Sequence, residues 1–328
     1  MAKEKAVAVK EKKESKLKKA FVKAFDENGN GQVDINEIIK CLQLPGVRIN
    51  RTDFLREVLG KEVTEDVVER AILENPMMAK ITQEVIDKLA DSVIFEERRR
   101  AKENSAYMAD IDSASAQTKL PIAIVNQCSG LLIAMQKLMY LYGFAQLAFD
   151  ENDSLDSETN KVVIACLGIM FGVGTANSVI HTLTPAIADK LKKKIKNPKE
   201  SKTLLGKVFS VISSAITTVV SSDEEINKIA TKVVAVIGNT LGGAITYLSF
   251  NHCCNKLKKQ LRNTELSNPN FVMPDKDDLS EEDDLVITVT TEDNEEVIIQ
   301  NADGEIVQEV AAEEVGENAD TVTDNDEE

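Results

Sequence analysis

The amino-acid sequence predicts an all-α protein: a short helix-loop-helix, then a multi-helix bundle with Gly-rich apolar helices, then an acidic, largely disordered C-terminal tail. Three observations lead to this prediction. A twelve-residue loop rich in side-chain oxygens, residues 26–37, lies between two amphipathic segments. Residues 120–255 hold long apolar segments without the alternation typical of a strand. Residues 275–328 hold 22 acidic residues and one lysine.

The loop has the residues of a calcium-binding EF-hand. Such a loop supplies oxygens from positions 1, 3, 5, 7, 9 and 12, with glycine at position 6 for the sharp turn. Gly31 stands at position 6. The predicted Ca²⁺ ligands, in that order, are Asp26, Asn28, Asn30, Gln32 through its carbonyl, Asp34 and Glu37. Because only three of these are anionic, we expect an affinity in the micromolar range or weaker.

The segments beside the loop have the apolar spacing of helices, since residues three or four apart share one helix face. The apolar residues are Leu17, Phe21, Phe25, Ile38, Cys41 and Leu42. A Gly- and Asn-rich surface turn would explain the glycines, but not six ligand positions between two helices. A second stretch from Ala148 to Asn152 starts like the first loop. It has Leu155 in place of the turn glycine and Lys161 in place of the bidentate glutamate, so one ion per chain is predicted.

Charge divides the chain unevenly. The tail carries a net charge of -21, so residues 1–274 carry +5 of the total of -16. We predict three domains, residues 1–45, 46–265 and 266–328. Residues 1–24 hold nine lysines and three glutamates. They suit either an anionic membrane surface or a solvated helical lead-in to the loop.

Five cysteines without framework spacing and a lysine-rich start without a signal peptide predict a reducing cytosol. Cys253 and Cys254 beside His252 would suit a metal, but adjacent ligands without a second pair favour buried structural thiols. Short helices are predicted to start at Asn50 or Thr52, at Thr64 and at Thr82.

Four long apolar segments follow and are predicted to be helices. They are Leu120–Phe149, Val162–Ala188, Leu204–Ser222 and Ile229–His252. Gly168 and Gly172 in the second, and Gly238 and Gly242 in the fourth, have the spacing that lets helices approach closely.

These segments fit two arrangements. One is a helical globule that is soluble or membrane-peripheral, and the other is a set of four membrane spans. Alternating acidic and basic connections, and 27 uncharged residues in Val162–Ala188, favour spans. Lys137 inside the first segment and the absence of tryptophan favour the globule.

The tail is predicted to be mostly disordered because so much like charge buries little apolar surface. A small sheet is the alternative, since three stretches alternate apolar and polar residues. These stretches are Leu285–Thr290, Val297–Gln300 and Glu305–Val310.

Five stretches, in order, resemble the bacterial EcsC protein family over roughly residues 46–262. They are Ile49–Arg56, Ala71–Pro76 followed by Ile86–Asp91, Met135–Phe144, Gly168–Ile180 and Ala235–Tyr247. The family's name comes from a transporter operon linked to secretion, and its biochemical activity is not established. The resemblance implies a bacterial cytosolic or membrane-associated regulator and transfers no catalytic residue.

No enzyme constellation is recognisable. His181 and His252 lie in apolar segments without a partner motif, and Gly172-Val-Gly174 lacks the strand and last glycine of a dinucleotide site. The acidic tail disfavours nucleic acid. We therefore predict a non-catalytic, calcium-binding regulatory or binding protein with an unknown protein partner. It would act in the cytosol or at the inner membrane surface. The alternative is an integral four-helix membrane protein, an accessory of a transporter, with a cytosolic EF-hand.

We expect a chain ending at Asn270 to keep its helical circular dichroism and to melt cooperatively. The reason is that the tail's like charges cannot offset its ordering entropy by burial. Loss of the folded body on truncation would show instead that the tail packs against it.

Overall fold

The computed structural model describes residues 19–105, 114–181, 184, 223–240, 244–268, 271–272, 286–288, 296–300 and 306–311. The helices are α1 (19–25), α2 (Ile35–Ile39), α3 (Arg51–Leu59), α4 (Glu65–Leu73), α5 (Gln83–Ser105), α6 (Ala114–Leu141), α7 (Ser157–Met170), α8 (174–181), α9 (Asp223–Thr240) and α10 (Ala244–Arg262). A 3₁₀ turn, Lys40–Gln43, continues α2. The all-α character of the body is confirmed.

Local sequence determines where the first helices of the body begin. Asn50 caps α3, with its side chain accepting from the Asp53 N–H at 3.1 Å. Thr64 is the N-cap residue of α4, and Thr82 precedes the first residue of α5. Asn50 and Thr82 satisfy backbone N–H groups that a helix leaves unpaired, Thr82 by accepting from the Val85 N–H at 3.4 Å. The Thr64 hydroxyl donates to the Asp66 side chain at 2.5 Å instead. The predicted starts at Asn50, Thr64 and Thr82 are confirmed.

The core lies around α10, which packs against α5, α6 and α7. In addition, α5 packs against α6, and α9 packs against α7. Large side chains at its centre, among them Tyr140, Leu55 and Ile86, are fully buried. The same continuous cluster of buried apolar residues includes Phe25 and Ile38 from the two helices beside the predicted calcium loop. The loop is therefore seated on the body through a shared core.

The long apolar segments are shorter helices than their composition predicted. The first ends at Leu141, and Gly143 then takes a positive φ of 95°. The described part of the second, Val162–Ala188, holds two helices, because the chain turns at Gly172 with a φ of 75°. Positive φ is the region that glycine adopts at little cost, so each glycine lets the chain leave the helix. The whole of the third segment, Leu204–Ser222, lies outside the described residues.

Gly168 lets α7 pack closely against α8 and α9. A Cβ placed on it would lie 2.5 Å from Ile229 Cγ2 of α9 and 2.7 Å from Ala176 Cβ of α8. Only the missing side chain permits this contact. The predicted close approach is confirmed at Gly168, whereas Gly172 makes the turn, and Gly242 lies outside the described residues.

Among the described residues, one helical stretch is long and apolar enough to cross a membrane, Lys119–Leu141 of α6. Of its most apolar window, 61% is buried inside the protein. Two of its polar side chains, Gln136 and Lys137, have partners there. Lys137 Nζ lies 2.7 Å from the buried Glu97 carboxylate of α5, and Gln136 Nε2 donates to the Val47 carbonyl at 2.9 Å.

Arg51 at the start of α3 anchors three segments while almost fully buried. Its guanidinium donates to the carbonyls of Phe144 at 2.9 Å, Ile72 at 2.7 Å and Ala71 at 3.2 Å. Its backbone N–H donates to the Gln146 side chain at 2.6 Å. Burial lowers the pKa of Arg51 to about 10, so it remains protonated at neutral pH. One side chain thus joins α3, the end of α4 and the segment after α6.

Three short strands lie in the acidic tail. β1 (Val286–Thr288), β2 (Glu296–Gln300) and β3 (Ile306–Ala311) form an antiparallel sheet in that order. They fall largely on the three alternating stretches of the sequence, so alternation marks strands here. The prediction of a largely disordered tail is not confirmed for these residues, and the rest of the tail lies outside the described ones.

Gly168→Ala should destabilise the protein by about 1–3 kcal/mol, because the new Cβ overpacks against Ile229 and Ala176. Gly130→Ala is the matched control. Its Cβ would meet only Phe250 Cε2 at 3.9 Å, so we expect a gain of about 0.5–1 kcal/mol from reduced entropy of the unfolded chain. Urea unfolding measures both. Equal midpoints for the two variants would contradict the close approach at Gly168.

Arg51→Lys should cost about 2–4 kcal/mol of unfolding free energy, since one ammonium cannot reach three carbonyls and leaves buried acceptors unpaired. Arg56→Lys, on the exposed side of the same helix, should change stability by about 0.5 kcal/mol or less. If thermal melts give the two variants the same melting temperature, Arg51 is not the anchor that its contacts indicate.

Candidate calcium-binding loop

Two buried aromatic rings hold the entry to the predicted loop. Phe21 and Phe25 of α1 pack edge to face with ring centroids 5.3 Å apart. On the exit side, Ile35 and Ile38 of α2 are buried in the same core. Both ends of the loop are therefore fixed, and the polar residues between them are mostly exposed.

Backbone N–H groups place the oxygens of the first half of the loop. Asp26 accepts from the Asn30 N–H at 3.1 Å and the Gly31 N–H at 2.8 Å. Asn28 Oδ1 accepts from Asn30 at 2.9 Å, and Asn30 Oδ1 accepts from Gln32 at 2.7 Å. The predicted ligands at positions 1, 3 and 5 therefore lie inside the turn that their own backbone makes. Gly31 has a φ of 78°, which explains why glycine stands there.

Asp34 and Glu37 close the second half of the loop. Asp34 is the N-cap of α2 and accepts from the N–H groups of Asn36 at 2.7 Å and Glu37 at 3.1 Å. Glu37 is 6% exposed, and its Oε2 accepts from the Asp34 N–H at 3.0 Å. Its Oε1 accepts from the Glu27 N–H and the Asn28 side chain, each at 3.2 Å. The last predicted ligand thus joins the end of the loop to its beginning.

The loop region is anionic. Lys40 pairs with Glu27, and this hydrogen bond, with the negative charges of Glu37 and Asp34 nearby, raises the pKa of Lys40 above its usual value. A cation near the loop is therefore stabilised electrostatically. The favourable field is modest because only three of the predicted ligands are charged.

The donor set suits a hard cation because it consists of oxygens. Across the described stretches, no three His, Cys, Asp or Glu side chains are arranged to hold a metal ion by themselves. The amides of Asn28 and Asn30 and the Gln32 carbonyl are therefore needed beside the carboxylates. Both Asp26 oxygens and Glu37 Oε2 accept one N–H group each and keep lone-pair capacity for an ion. Glu37 Oε1 and Asp34 Oδ1 accept two donors each, so a bidentate Glu37 would exchange one of these bonds for the ion. The residues present fit Ca²⁺ on these grounds.

The second stretch folds differently from the first. Asp150 accepts from the N–H groups of Asn152 at 2.8 Å and Ser154 at 3.0 Å, as a first loop residue does. Asp156 then accepts from the Thr159 N–H at 2.8 Å, and α7 begins at Ser157. This turn is therefore shorter than the first loop, and Lys161 lies within a helix.

The predicted buried thiols are confirmed. All five cysteines are free and buried, and burial raises the pKa of Cys253 to about 12. His181 is 1% exposed, stacks on Phe271 with centroids 5.8 Å apart, and lies 3.1 Å from the Gln260 side chain. Burial lowers the pKa of His181 below its usual value. These groups are packed as core residues.

Sequence reasoning missed the contacts that join the exit side of the loop to the second turn. Arg48 pairs with Asp153, and Asn160 donates to Asn36. The partners are more than 100 residues apart in the sequence. No local spacing could have indicated them.

Comparison with protein-family models, curated proteins and solved structures finds no match for this chain. The resemblance to the EcsC family therefore stays a prediction that rests on the stretches quoted above. The calcium assignment rests on the donor set of the loop and its geometry.

Proposed function

We propose that this chain is a non-catalytic regulatory or binding protein that holds one Ca²⁺ ion in the loop 26–37. The observation that carries the proposal is the network of backbone N–H groups around the predicted ligands. It ties Asp26 to residues 30 and 31, and Glu37 to both ends of the loop. Little of the loop has to be ordered when the ion binds, so less entropy opposes binding.

The charge of the ligands sets the range of affinity. Three carboxylates give the site less negative charge than tightly binding buffer sites use, which favours the micromolar range of sensors or weaker. A site in that range is filled or emptied by changes in calcium concentration. This supports a regulatory role over a permanently filled structural one.

Membrane association remains a proposal from charge alone. The lysines of residues 1–18 suit an anionic surface, but they lie outside the described residues. In the part of the chain that the structure describes, one candidate span, Lys119–Leu141, supports the integral alternative. Its Gln136 and Lys137 are tied to other segments of the protein rather than facing outward. We therefore favour a cytosolic or membrane-peripheral protein whose protein partner is unknown.

Calorimetry should detect one calcium ion per chain, and Glu37→Gln should weaken binding by about tenfold or more because the bidentate carboxylate is lost. Glu27→Gln is the matched control. Glu27 lies in the same loop at a position that supplies no ligand, so the calcium affinity of this variant should stay close to that of the wild type. No binding by the wild type, two ions per chain, or an unchanged affinity for Glu37→Gln would each refute the assignment.

A further inference from the structure

One guanidinium joins the exit side of the loop to the turn after α6. Arg48 Nε donates to the Leu42 carbonyl at 2.9 Å, next to the end of the 3₁₀ turn. Nη1 lies 2.5 Å from Asp153 Oδ1, and Nη2 donates to the Asp153 carbonyl at 3.1 Å. The guanidinium also lies over the Phe149 ring, 3.7 Å from its centroid. We call this group, Leu42, Gln43, Arg48, Phe149 and Asp153, the Arg48 clasp.

Two further bonds run between the same parts of the chain. Gln43 Nε2 donates to the Asp153 carbonyl at 3.1 Å. Asn160 Nδ2 donates to Asn36 Oδ1 at 3.0 Å, and Asn36 is the loop residue directly before Glu37. The helix that leaves the loop, α2 with its 3₁₀ turn, is called the exit helix. It is therefore held at both of its ends. A rotation of this helix would have to break contacts at residue 36 and at residue 43 together.

The turn that receives these bonds is well defined. Asp153 has a φ of 64°, a left-handed conformation that aspartate tolerates better than most residues. A residue keeps such a conformation when its surroundings determine it, and here the clasp and the Asp153 N–H bond to the Asp150 carbonyl at 3.1 Å do so. The Arg48 hydrogen bond also holds the pKa of Asp153 below its usual value.

The other side of the turn continues into the core. α7 follows it, with Val162, Val163 and Ala165 fully buried. Close-packed cores resist deformation, so α7 is a rigid support. The clasp therefore fixes the exit helix, and with it Glu37 and the N-cap residue Asp34, against that support.

We propose that Arg48 and Asp153 are positioning residues of the calcium loop: they touch no ion but hold the exit helix where Asp34 and Glu37 meet the first half of the loop. This inference rests on the calcium-binding function proposed above. Holding the ligands in place before binding increases affinity because less freedom is lost when the ion arrives. Because such coupling is reciprocal, bound calcium must stabilise the formed clasp by the same factor by which the clasp increases the calcium affinity.

The test compares calcium affinity in the full-length wild type, Arg48→Lys, Asp153→Asn and the double variant by calorimetry. Lysine keeps the charge but not the fork of bonds, and asparagine keeps the tolerance for positive φ. We expect each single variant to bind about fivefold more weakly, and the double variant to bind no more weakly than either. Arg56→Lys removes a comparable exposed contact, to Glu69 at 2.9 Å, and should leave affinity unchanged.

A second readout separates positioning from stability. Calcium should slow amide hydrogen exchange in residues 150–156 of the wild type and should do so far less in Arg48→Lys. Wild-type binding with unchanged affinity in the variants would overturn the positioning role and leave the calcium function standing. Calcium-independent exchange in this turn would also overturn it. Absence of binding by the wild type would remove both proposals.

Discussion

The buried guanidinium of Arg51 is the interaction on which the arrangement of the other segments depends. Among the described residues no carboxylate pairs with it, and its partners are backbone carbonyls. Those of Ala71 and Ile72 belong to the last turn of α4, where a helix leaves its carbonyls unpaired and its dipole is negative. The buried cation and the helix end therefore satisfy each other. The Phe144 carbonyl, bonded to the same guanidinium, fixes the chain leaving α6, which leads to the turn that Arg48 contacts.

Two glutamine side chains also hold backbone groups in place by hydrogen bonds, as Arg51 does. Gln136 of α6 accepts from the Ile49 N–H at 3.1 Å and donates to the Val47 carbonyl. Gln146 accepts from the Arg51 N–H and donates to the Ile49 carbonyl at 3.2 Å. The irregular segment between the calcium loop and α3 thus has its backbone groups paired without joining a helix or sheet. This pairing lets a non-helical segment lie against the core, because unpaired polar groups there would be costly.

The sequence predicted features determined by neighbouring residues and missed those determined by distant ones. The caps at Asn50 and Thr64 depend on residues within one turn of the chain, as does the turn at Gly31, and these were found. The lengths of the apolar helices were overestimated, because an apolar run does not reveal where glycine lets the chain turn, as at Gly172. Lys137 was predicted to disfavour a membrane span, and its partner Glu97 on another helix could not be named from spacing. For the candidate site, the six predicted ligands lie within twelve residues, so spacing alone proposes them, whereas Arg48 and Asp153 could be paired only by the fold.

The ligand set also bears on which cation the loop prefers. In the proposed site, five residues offering one oxygen each, with a bidentate Glu37, would give seven oxygens around an ion. Ca²⁺ accepts six to eight oxygens in flexible geometry, whereas Mg²⁺ demands near-ideal octahedral geometry at shorter distances and keeps several waters. In this loop Glu37 is tied by hydrogen bonds to both ends, and the exit helix is held against α7, so contraction around a smaller ion would strain both. In the proposed calcium site, the support that holds Glu37 in place would therefore favour calcium over magnesium by resisting contraction, even though the predicted ligands carry only three negative charges.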